Sequence, residues 1–283
     1  NPSLRIDYNK HYNLKISPQM SIAYNYKKIN IRSSINKSIR SADFTERFYN
    51  NNYEGVLPSE QSIGNPELDS EKSINYEFGI DVLPNEDLQI KNTLFYRNAS
   101  NLIDWVSTSS ENIDTNIDLI NNENYFVAQN ISRLYTLGFE TELWFYLVKQ
   151  ELLDISGSTG YTKIMASENK SEIFNKNTNS SSKYLANNSG DRFNYNLLVK
   201  YKKITVNLNG LMKIRDTEFS EAIDQRLEKS YFVHNLSAKY ALKKDLSINA
   251  EIKNIFNKEY SDILGAILPK RWLILGFVWQ LQS

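Results

Sequence analysis

Apolar and polar residues alternate without a break over residues 73–83. One set of alternate positions holds Ile74, Tyr76, Phe78, Ile80 and Val82, and the positions between them hold Ser73, Asn75, Glu77, Gly79 and Asp81. Successive side chains of a β-strand point to opposite faces, so a period of two indicates a strand. The stretch therefore predicts a long strand with one apolar and one polar face.

The same alternation predicts eleven strands along the chain, or twelve if residues 3–8 also form one. The other ten are 14–26, 28–39, 87–97, 124–148, 151–163, 191–201, 203–214, 231–242, 245–256 and 272–281. The pattern would also let strand 87–97 continue through 102–106. Very short connections alternate with long loops such as 40–72 and 164–190. All short connections are therefore expected at one end of an antiparallel sheet, and all long ones at the other.

The predicted strands have about 10–13 residues, whereas strands of soluble proteins average about 5–6. Strands of transmembrane β-barrels need about 9–11 residues, and they are joined by short turns on one side and longer loops on the other. A soluble sandwich would show the same two-faced strands and stays open as the alternative. Uniform strand length and one-sided loops favour an all-β, antiparallel transmembrane barrel.

The polar faces of the later strands carry charged and amide side chains along their whole length, for example Arg192, Asn194, Asn196 and Lys200. A small barrel fills its interior with packed side chains, so this polarity predicts a wide lumen that holds water or a separate polar plug. Eleven antiparallel strands cannot close, and a bilayer tolerates no unpaired edge. The barrel is therefore expected to need strands from outside this sequence.

Composition excludes several kinds of site. The 33 basic and 33 acidic residues cancel, so no nucleic-acid partner is indicated. The chain has no cysteine and two histidines, His11 and His234, and no cofactor or metal site is predicted. Asp114, Asn116 and Asp118 alternate as calcium ligands do, but the later Gly and Glu of a calcium loop are absent, which favours a solvated loop. Because residue 1 is Asn1, either a precursor was cut or the beginning was not included.

Several motifs follow one another in a fixed order. They are residues 38–46, Gly64-Asn65-Pro66-Glu67-Leu68, Tyr76-Glu77-Phe78-Gly79, Leu137-Gly138-Phe139-Glu140, Asn254-Ile255-Phe256-Asn257-Lys258-Glu259-Tyr260 and Pro269-Lys270-Arg271-Trp272. In this order they resemble the C-terminal half of the barrel of TonB-dependent outer-membrane receptors. Lys270 departs from the glycine usual there, and the chain ends at Ser283, not at an aromatic residue.

The resemblance implies a barrel of about 22 strands with an N-terminal plug, and residues 1–283 would form the C-terminal half of that barrel. Such a receptor lies in the outer membrane of a Gram-negative bacterium. It imports a scarce nutrient with energy that TonB delivers through the plug, and it is not an enzyme. The expected partners are outer-membrane lipid, the N-terminal half, TonB, a small nutrient and, as a further option, a surface lipoprotein or larger outer-membrane complex. Residues 101–106 and 129–132 look most like cobalamin transporters, followed by siderophore and haem receptors.

Two groups of residues are candidates for contact with the ligand or the plug. The aromatic residues near long loops could stack on a flat ligand: Tyr49, Tyr53, Trp105, Tyr125, Phe126, Tyr260 and Trp272. Interfacial girdle or loop packing is the favoured alternative for each of them. The lumen-facing candidates are Arg40, Glu46, Glu71, Glu77, Glu140 and Glu142. These could contact a plug or, equally well, pair with one another along the wall.

Two other functions compete with active transport. One is a passive or structural barrel component of a larger complex. The other is a closed twelve-stranded barrel hydrolase that uses His234 with a serine. The alternation of His234 with Phe232 and Leu236 instead predicts that His234 lies on the apolar outer face, and no serine elbow is present.

Overall fold

The protein is described from a computed structural model. It describes residues 1–10, 13–131, 133–169, 190–215, 219–220, 225–226, 228–263 and 266–280. Within these ranges the chain is almost wholly β. The strands are β1 (Pro2–Asn9), β2 (Asn13–Tyr26), β3 (Ile29–Arg40), β4 (Val56–Leu57), β5 (Ser62–Ile63), β6 (Glu71–Asn85), β7 (Leu88–Ser100), β8 (Ile103–Ser109), β9 (Asp118–Leu119), β10 (Asn124–Asn130), β11 (Arg133–Lys149), β12 (Leu153–Asn169), β13 (Asp191–Tyr201), β14 (Ile204–Ile214), β15 (Phe219–Ser220), β16 (Gln225–Arg226), β17 (Ser230–Ala241), β18 (Leu246–Lys253), β19 (Ser261–Ile263), β20 (Ala266–Ile267) and β21 (Trp272–Trp279). One α-helix, α1 (Phe44–Phe48), and one 3₁₀ turn, Ser110–Asn112, lie in the loops.

Twelve strands form one antiparallel sheet in the order β1-β2-β3-β6-β7-β11-β12-β13-β14-β17-β18-β21. Each strand pairs with its neighbours in chain order, which is an up-and-down meander. This confirms the predicted all-β architecture and the count of twelve, with residues 2–9 as the additional strand. The separation of short and long connections holds from β2 onward. It fails at the first hairpin, because β1 ends at Asn9 and β2 begins at Asn13, at the end where the long loops lie.

The burial of the sheet is the reverse of that in a soluble protein. On β6 the apolar Tyr76 and Phe78 are 45 % and 46 % exposed, whereas the polar Ser73 and Asp81 are only 5 % and 8 % exposed. The apolar faces of the other large-sheet strands are exposed in the same way, for example at Tyr24, Leu94 and Leu275. Soluble monomers rarely expose apolar patches of this extent. The sheet therefore presents its apolar face to lipid and its polar face to a lumen, and the soluble sandwich does not fit.

The predicted strand 124–148 is divided between two sheets, and the optional continuation of strand 87–97 through 102–106 also belongs to a separate sheet. Residues 124–148 form β10 and β11, and β10 pairs with β8 and β5 away from the large sheet. Residues 87–106 form β7 and β8, with a break at Asn101, whose φ of 56° lies in the left-handed region. The predicted continuity of 124–148 was wrong, and strand 87–97 does not continue through 102–106, because the alternation of side chains persists on both sides of each break and carries no signal of the change of partner.

The large sheet has two free edges among the residues that the structure describes. There β1 pairs only with β2, and β21 pairs only with β18. Unpaired backbone groups at the edge of a lipid-facing sheet would lack hydrogen-bond partners. The strands of this chain thus make an open barrel wall. In the described ranges no helix is long and apolar enough to cross a bilayer.

Candidate functional site

The connections 41–70 and 101–131 fold together into a loop subdomain beside the long-loop end of the wall. Strand β5 pairs with β10 and β4 with β9, both in parallel, and β8 pairs with β10 in antiparallel fashion. Its centre is a cluster of buried residues: Leu57, Ile63, Ile117, Tyr125 and Val127. Since the two connections supply the core jointly, neither is a free loop. The arrangement fixes the positions of the side chains on its surface.

A charged cluster joins the loop subdomain to the lumenal face of the wall. Arg40, at the end of β3, donates to Glu71 on β6 at 2.6 and 2.7 Å and to Glu46 of α1 at 2.9 and 3.0 Å. The Glu46 carboxylate also accepts the Asp43 N–H, and the Asp43 carboxylate caps α1 through the Glu46 N–H. Glu71 accepts the backbone N–H of Ile103 in the other connection. The three predicted lumenal residues Arg40, Glu46 and Glu71 therefore pair with one another, and their contact is structural.

The Gly-Asn-Pro motif is clamped against α1. Arg47 is buried and donates to the carbonyls of Pro66 and Leu68. The N–H groups of Gly64 and Asn65 donate to the carbonyls of Tyr49 and Glu46. A Cβ at Gly64 would lie 2.6 Å from three backbone atoms of residues 47–49, so only glycine permits this approach. The motif therefore packs the loop closely against the helix.

The aromatic candidates divide into surface and core residues. Tyr49 is 46 % exposed, and its ring forms a T-shaped pair with Trp105, with centroids 6.4 Å apart. Tyr53 is exposed, and Trp105 and Phe126 are half-buried. Tyr125 is fully buried, its hydroxyl donates to the Leu57 carbonyl at 2.8 Å, and it accepts the Ile120 N–H at 2.9 Å. The expectation of ligand contact does not fit Tyr125, which stabilises the core of the loop subdomain.

The other predicted lumenal residues, Glu77, Glu140 and Glu142, lie deeper on the wall and border one polar cavity of about 280 Å³. The guanidinium of Arg32 on β3 reaches across β6 and donates hydrogen bonds to Glu77 and to Thr93 of β7. Its Nε lies 3.4 Å from Oδ1 of Asp81. A Cβ at Gly79 would lie 2.5 Å from the Arg32 guanidinium carbon, so glycine makes this crossing possible. In the described part of the chain no ion pair engages Glu140 or Lys91 on the same wall. These two charges are available to a group inside the lumen.

A second cavity, of about 390 Å³, lies nearer the loop subdomain. Its lining includes Arg97, the bonded amides of Asn36 and Asn75, and Leu134. Arg97 is exposed and forms no ion pair within the described residues. Sequence reasoning missed Arg97 and Arg32, although both share the period-2 phase of residues assigned to the lumen. No group of three or more metal-binding side chains occurs in the described ranges.

Comparison with known proteins identifies the family. Residues 1–255 match the family profile described as TonB dependent receptor-like, beta-barrel. The chain belongs to the TonB-dependent receptor family. This confirms the resemblance that the motifs carried. No curated relative matches the sequence.

Solved structures show the same fold. The chain is similar to the siderophore receptor PirA from Pseudomonas aeruginosa (18 % identity, TM-score 0.66), to a mutant of the ferric enterobactin receptor PfeA from the same organism in complex with enterobactin (16 %, 0.66), and to the outer membrane transporter YddB from Escherichia coli (13 %, 0.70). The similarity covers 98 % of this chain in each case but only 44 %, 42 % and 42 % of those chains. The receptor barrel wall described here thus spans less than half the length of the proteins that it matches.

A second charged cluster ties the last two connections of the receptor barrel together. Arg215, after β14, is buried and donates to the carbonyls of Glu228, Ser261 and Asp262. The Asp262 carboxylate accepts hydrogen bonds from Lys213 and from the Tyr231 hydroxyl. Tyr260 packs on Tyr231 with centroids 4.8 Å apart, whereas Trp272 is 54 % exposed at the start of β21. Sequence reasoning missed Arg215 and Asp262, because single charges in loops carry no periodic signal.

The Asn-Ile-Phe-Asn-Lys motif begins this last connection with a tight turn. Asn254 is buried with a φ of 52°, its side chain accepts the Lys258 N–H at 2.9 Å, and its amide donates to the Lys258 carbonyl at 2.7 Å. Asn257 accepts the Arg271 N–H, which holds the start of β21. Asn tolerates the left-handed conformation and bonds locally, so both asparagines serve turn geometry.

We expect the last connection to loosen in acid. Burial acts to raise the pKa of Asp262, but hydrogen bonds from Lys213 and Tyr231 outweigh it, so this pKa lies below its usual value. A lowered pKa gives stability that is complete above about pH 4, the pKa of an unfolded Asp, and is lost as the pH falls through the folded pKa. Amide exchange of residues 254–263 and 266–271, corrected for intrinsic rates, should stay constant from about pH 7 to 5 and accelerate below about pH 4.

Asp262→Asn should abolish this pH dependence and give fast exchange at every pH. Glu259→Gln is the matched control, because the Glu259–Lys270 pair is 61 % and 56 % exposed and stabilises little. Equal protection of the wild-type loop at pH 5 and pH 3 would contradict the assigned role of Asp262.

Proposed function

We propose that the intact protein is an outer-membrane receptor that takes up a ferric siderophore, with residues 1–283 as the C-terminal half of its barrel. The observation that carries the proposal is the open twelve-stranded wall with a lipid-facing apolar side, a charged lumenal side and a folded loop subdomain at one end. A closed antiparallel barrel has an even number of strands, so an even number must be added to these twelve. We place those strands and a plug in the N-terminal half.

The lumenal wall supports a plug as the occupant. Lys91, Arg97 and Glu140 point charges into the lumen without partners in the described part of the chain, whereas Arg32 and Arg40 are already paired. Charges left unpaired on one surface suit a partner with complementary charges. On this reading the plug contacts Glu140 and Lys91, and TonB acts through the plug. A surface lipoprotein remains a further candidate partner at the loop subdomain.

Siderophore transport is favoured over cobalamin or haem transport by the names of similar structures. PirA is a siderophore receptor, PfeA was solved in complex with enterobactin, and a third similar structure is the ferripyoverdine receptor bound to ferripyoverdine. The cobalamin assignment rested on residues 101–106 and 129–132. The structure gives several of the described residues among them packing roles, since Leu102 and Ile131 share a buried cluster and the Asn130 amide donates to the carbonyls of Asp69 and Asn101.

The geometry does not favour a hydrolase. His234 lies on the lipid-facing side, between Phe232 and Phe256, and its Nδ1 hydrogen-bonds to the Tyr195 hydroxyl at 2.7 Å. A passive barrel component remains the second candidate, since the wall itself would look the same without ligand uptake. Binding and energy dependence separate the two.

The test is ligand binding and uptake by the intact protein. We expect it to bind a ferric siderophore, and cells that carry it as their sole receptor should accumulate labelled iron only when TonB is present. Tyr49→Ala should weaken binding about tenfold, equal to about 1.4 kcal/mol, because it removes an exposed ring but leaves the backbone bonds of Tyr49 in place. Tyr24→Ala, at the opposite end of the wall, should have no effect. If the protein bound cobalamin or haem and no siderophore, the proposed ligand would be wrong. If iron entered the cells without TonB, the result would favour the passive barrel.

A further inference from the structure

Four lysines form a patch at the short-turn end of the wall. Lys202 and Lys203 join β13 to β14, and Lys243 and Lys244 lie in the turn between β17 and β18. The two turns are neighbours, because the Ala241 N–H donates to the Lys203 carbonyl at 2.8 Å. All four side chains are exposed, and none forms an ion pair with a described residue. We call Lys202, Lys203, Lys243 and Lys244 the basic turn patch.

Two acidic residues border the basic turn patch. Asp245 is half-buried, and its carboxylate accepts the indole N–H of Trp279 at 3.2 Å. Glu151 lies in the adjacent turn, whose Leu152 carbonyl accepts the Lys202 N–H. Next to it, Lys200 and Asp154 face each other at 3.9 Å. Four unpaired ammonium groups thus exceed the two neighbouring carboxylates, and the patch keeps a positive charge.

The basic turn patch lies at the border of the lipid-facing surface. Tyr201, Tyr240 and Trp279 end the apolar faces of β13, β17 and β21, and they are 47 %, 45 % and 62 % exposed. Aromatic residues at the ends of barrel strands sit at the level of lipid headgroups. The Lys202 ammonium lies 5.2 Å from the centre of the Tyr201 ring. The charge is therefore held at headgroup level.

The backbone of Lys202 gives an independent reason to look for a role of its side chain. Its φ is 50°, in the left-handed region where Gly or Asn would be less strained. The β2–β3 turn repeats the arrangement, with Lys27 at a φ of 52° and its ammonium 5.2 Å from the Tyr26 ring. Turn geometry alone would not select lysine at these positions, but an anionic surface beside the turns would.

We propose that the basic turn patch binds the phosphate groups of anionic phospholipids in the leaflet beside the short turns. Lysines near an anionic membrane surface attract acidic lipid, and the attraction falls with ionic strength. Binding of this kind would hold the barrel at a fixed depth. It does not depend on which nutrient the receptor imports, so it can fail while the proposed function stands.

The experiment measures lipid preference at the surface of the intact protein. The protein is reconstituted in phosphatidylcholine vesicles, and the association of spin-labelled phosphatidylglycerol is compared with that of spin-labelled phosphatidylcholine. The wild type should prefer phosphatidylglycerol, and high salt should reduce the preference. The triple variant Lys202→Gln, Lys203→Gln, Lys244→Gln should lose most of it, at up to about fivefold for each lysine removed.

Two further variants keep the result interpretable. The triple Lys229→Gln, Lys258→Gln, Lys270→Gln removes the same charge at the long-loop end and should leave the preference unchanged. The triple variant Lys202→Arg, Lys203→Arg, Lys244→Arg should retain the preference, which separates the effect of charge from that of turn folding. Equal association of the two lipids with the wild type would overturn the proposal. So would a preference that survives in the 202/203/244 glutamine variant, because the preference would then arise elsewhere on the surface of the protein.

Discussion

Replacing Arg40 with methionine should release the loop subdomain from the wall at a cost of about 3 kcal/mol. The substitution would leave the carboxylates of Glu46 and Glu71, each 10 % exposed, without their shared cation. Removing one partner of a buried ion pair costs about 3–5 kcal/mol, and we take the low end because the Arg40 side chain is 43 % exposed to water. Amide exchange at Ile103, which donates to Glu71, reports the opening directly.

Arg5→Met is the matched control for this prediction. Arg5 also pairs with a carboxylate, Asp7, but its side chain is 78 % exposed. Exposed pairs contribute at most about 1 kcal/mol, so exchange in the loop subdomain should not change. Unaltered protection of Ile103 in Arg40→Met would show that the subdomain is held by its apolar contacts alone.

Replacing Tyr125 with alanine should unfold the loop subdomain locally, at a cost of about 4 kcal/mol, while the wall stays intact. Tyr125 has no exposed surface and lies in the cluster that both connections share. Truncation of a buried aromatic ring costs about 3–5 kcal/mol because it leaves a cavity. Exchange should accelerate over 56–63 and 117–131, and the large-sheet strands should keep their protection.

Tyr125→Phe separates the ring from its hydroxyl. It keeps the packing but leaves the Leu57 carbonyl and the Ile120 N–H without this partner, which should cost about 1–2 kcal/mol. Tyr53→Ala, an exposed tyrosine in the same subdomain, should change stability by less than about 0.5 kcal/mol. If Tyr125→Ala and Tyr53→Ala behaved alike, Tyr125 would not be the centre of a core.

The sequence predicted the wall well, because the wall depends on local periodicity. Ile74, Tyr76 and Phe78 had to share one face whatever their partners were, and the pairing of β6 with β3 and β7 follows the order of the strands in the chain. The same reasoning placed Glu77 and Glu140 in the lumen and His234 on the outer face. Long strands and one-sided loops were enough to predict a barrel that is polar inside.

The loops could not be predicted in this way. The subdomain depends on contacts between distant segments, such as Tyr125 with Leu57 and Glu71 with Ile103, which no local pattern encodes. For the same reason, strand 124–148 was predicted as continuous, and a continuation of strand 87–97 through 102–106 was left open, although the two parts have different partners in each case. The aromatic candidates were chosen by residue type and loop position, and neither feature distinguishes the buried Tyr125 from the exposed Tyr49.

The structure distinguishes between the two roles that the sequence allowed for the lumenal charges. Arg40, Glu46 and Glu71 could have contacted a plug or one another, and the distances of 2.6–3.0 Å show that they contact one another. Arg97, which the sequence reasoning did not select, is exposed to the same lumen. Two neighbouring segments thus have different roles: residues 64–68 pack against α1, and residues 73–83 form part of the wall strand β6.

We propose that this chain is one part of a receptor barrel that further strands complete. The most direct test is intact-mass spectrometry of the outer-membrane protein that carries this sequence. We expect a polypeptide, or an inseparable pair, of more than twice the 32.9 kDa of this chain, with additional barrel strands and a plug. A protein of 32.9 kDa that inserts alone as a closed barrel would contradict the account.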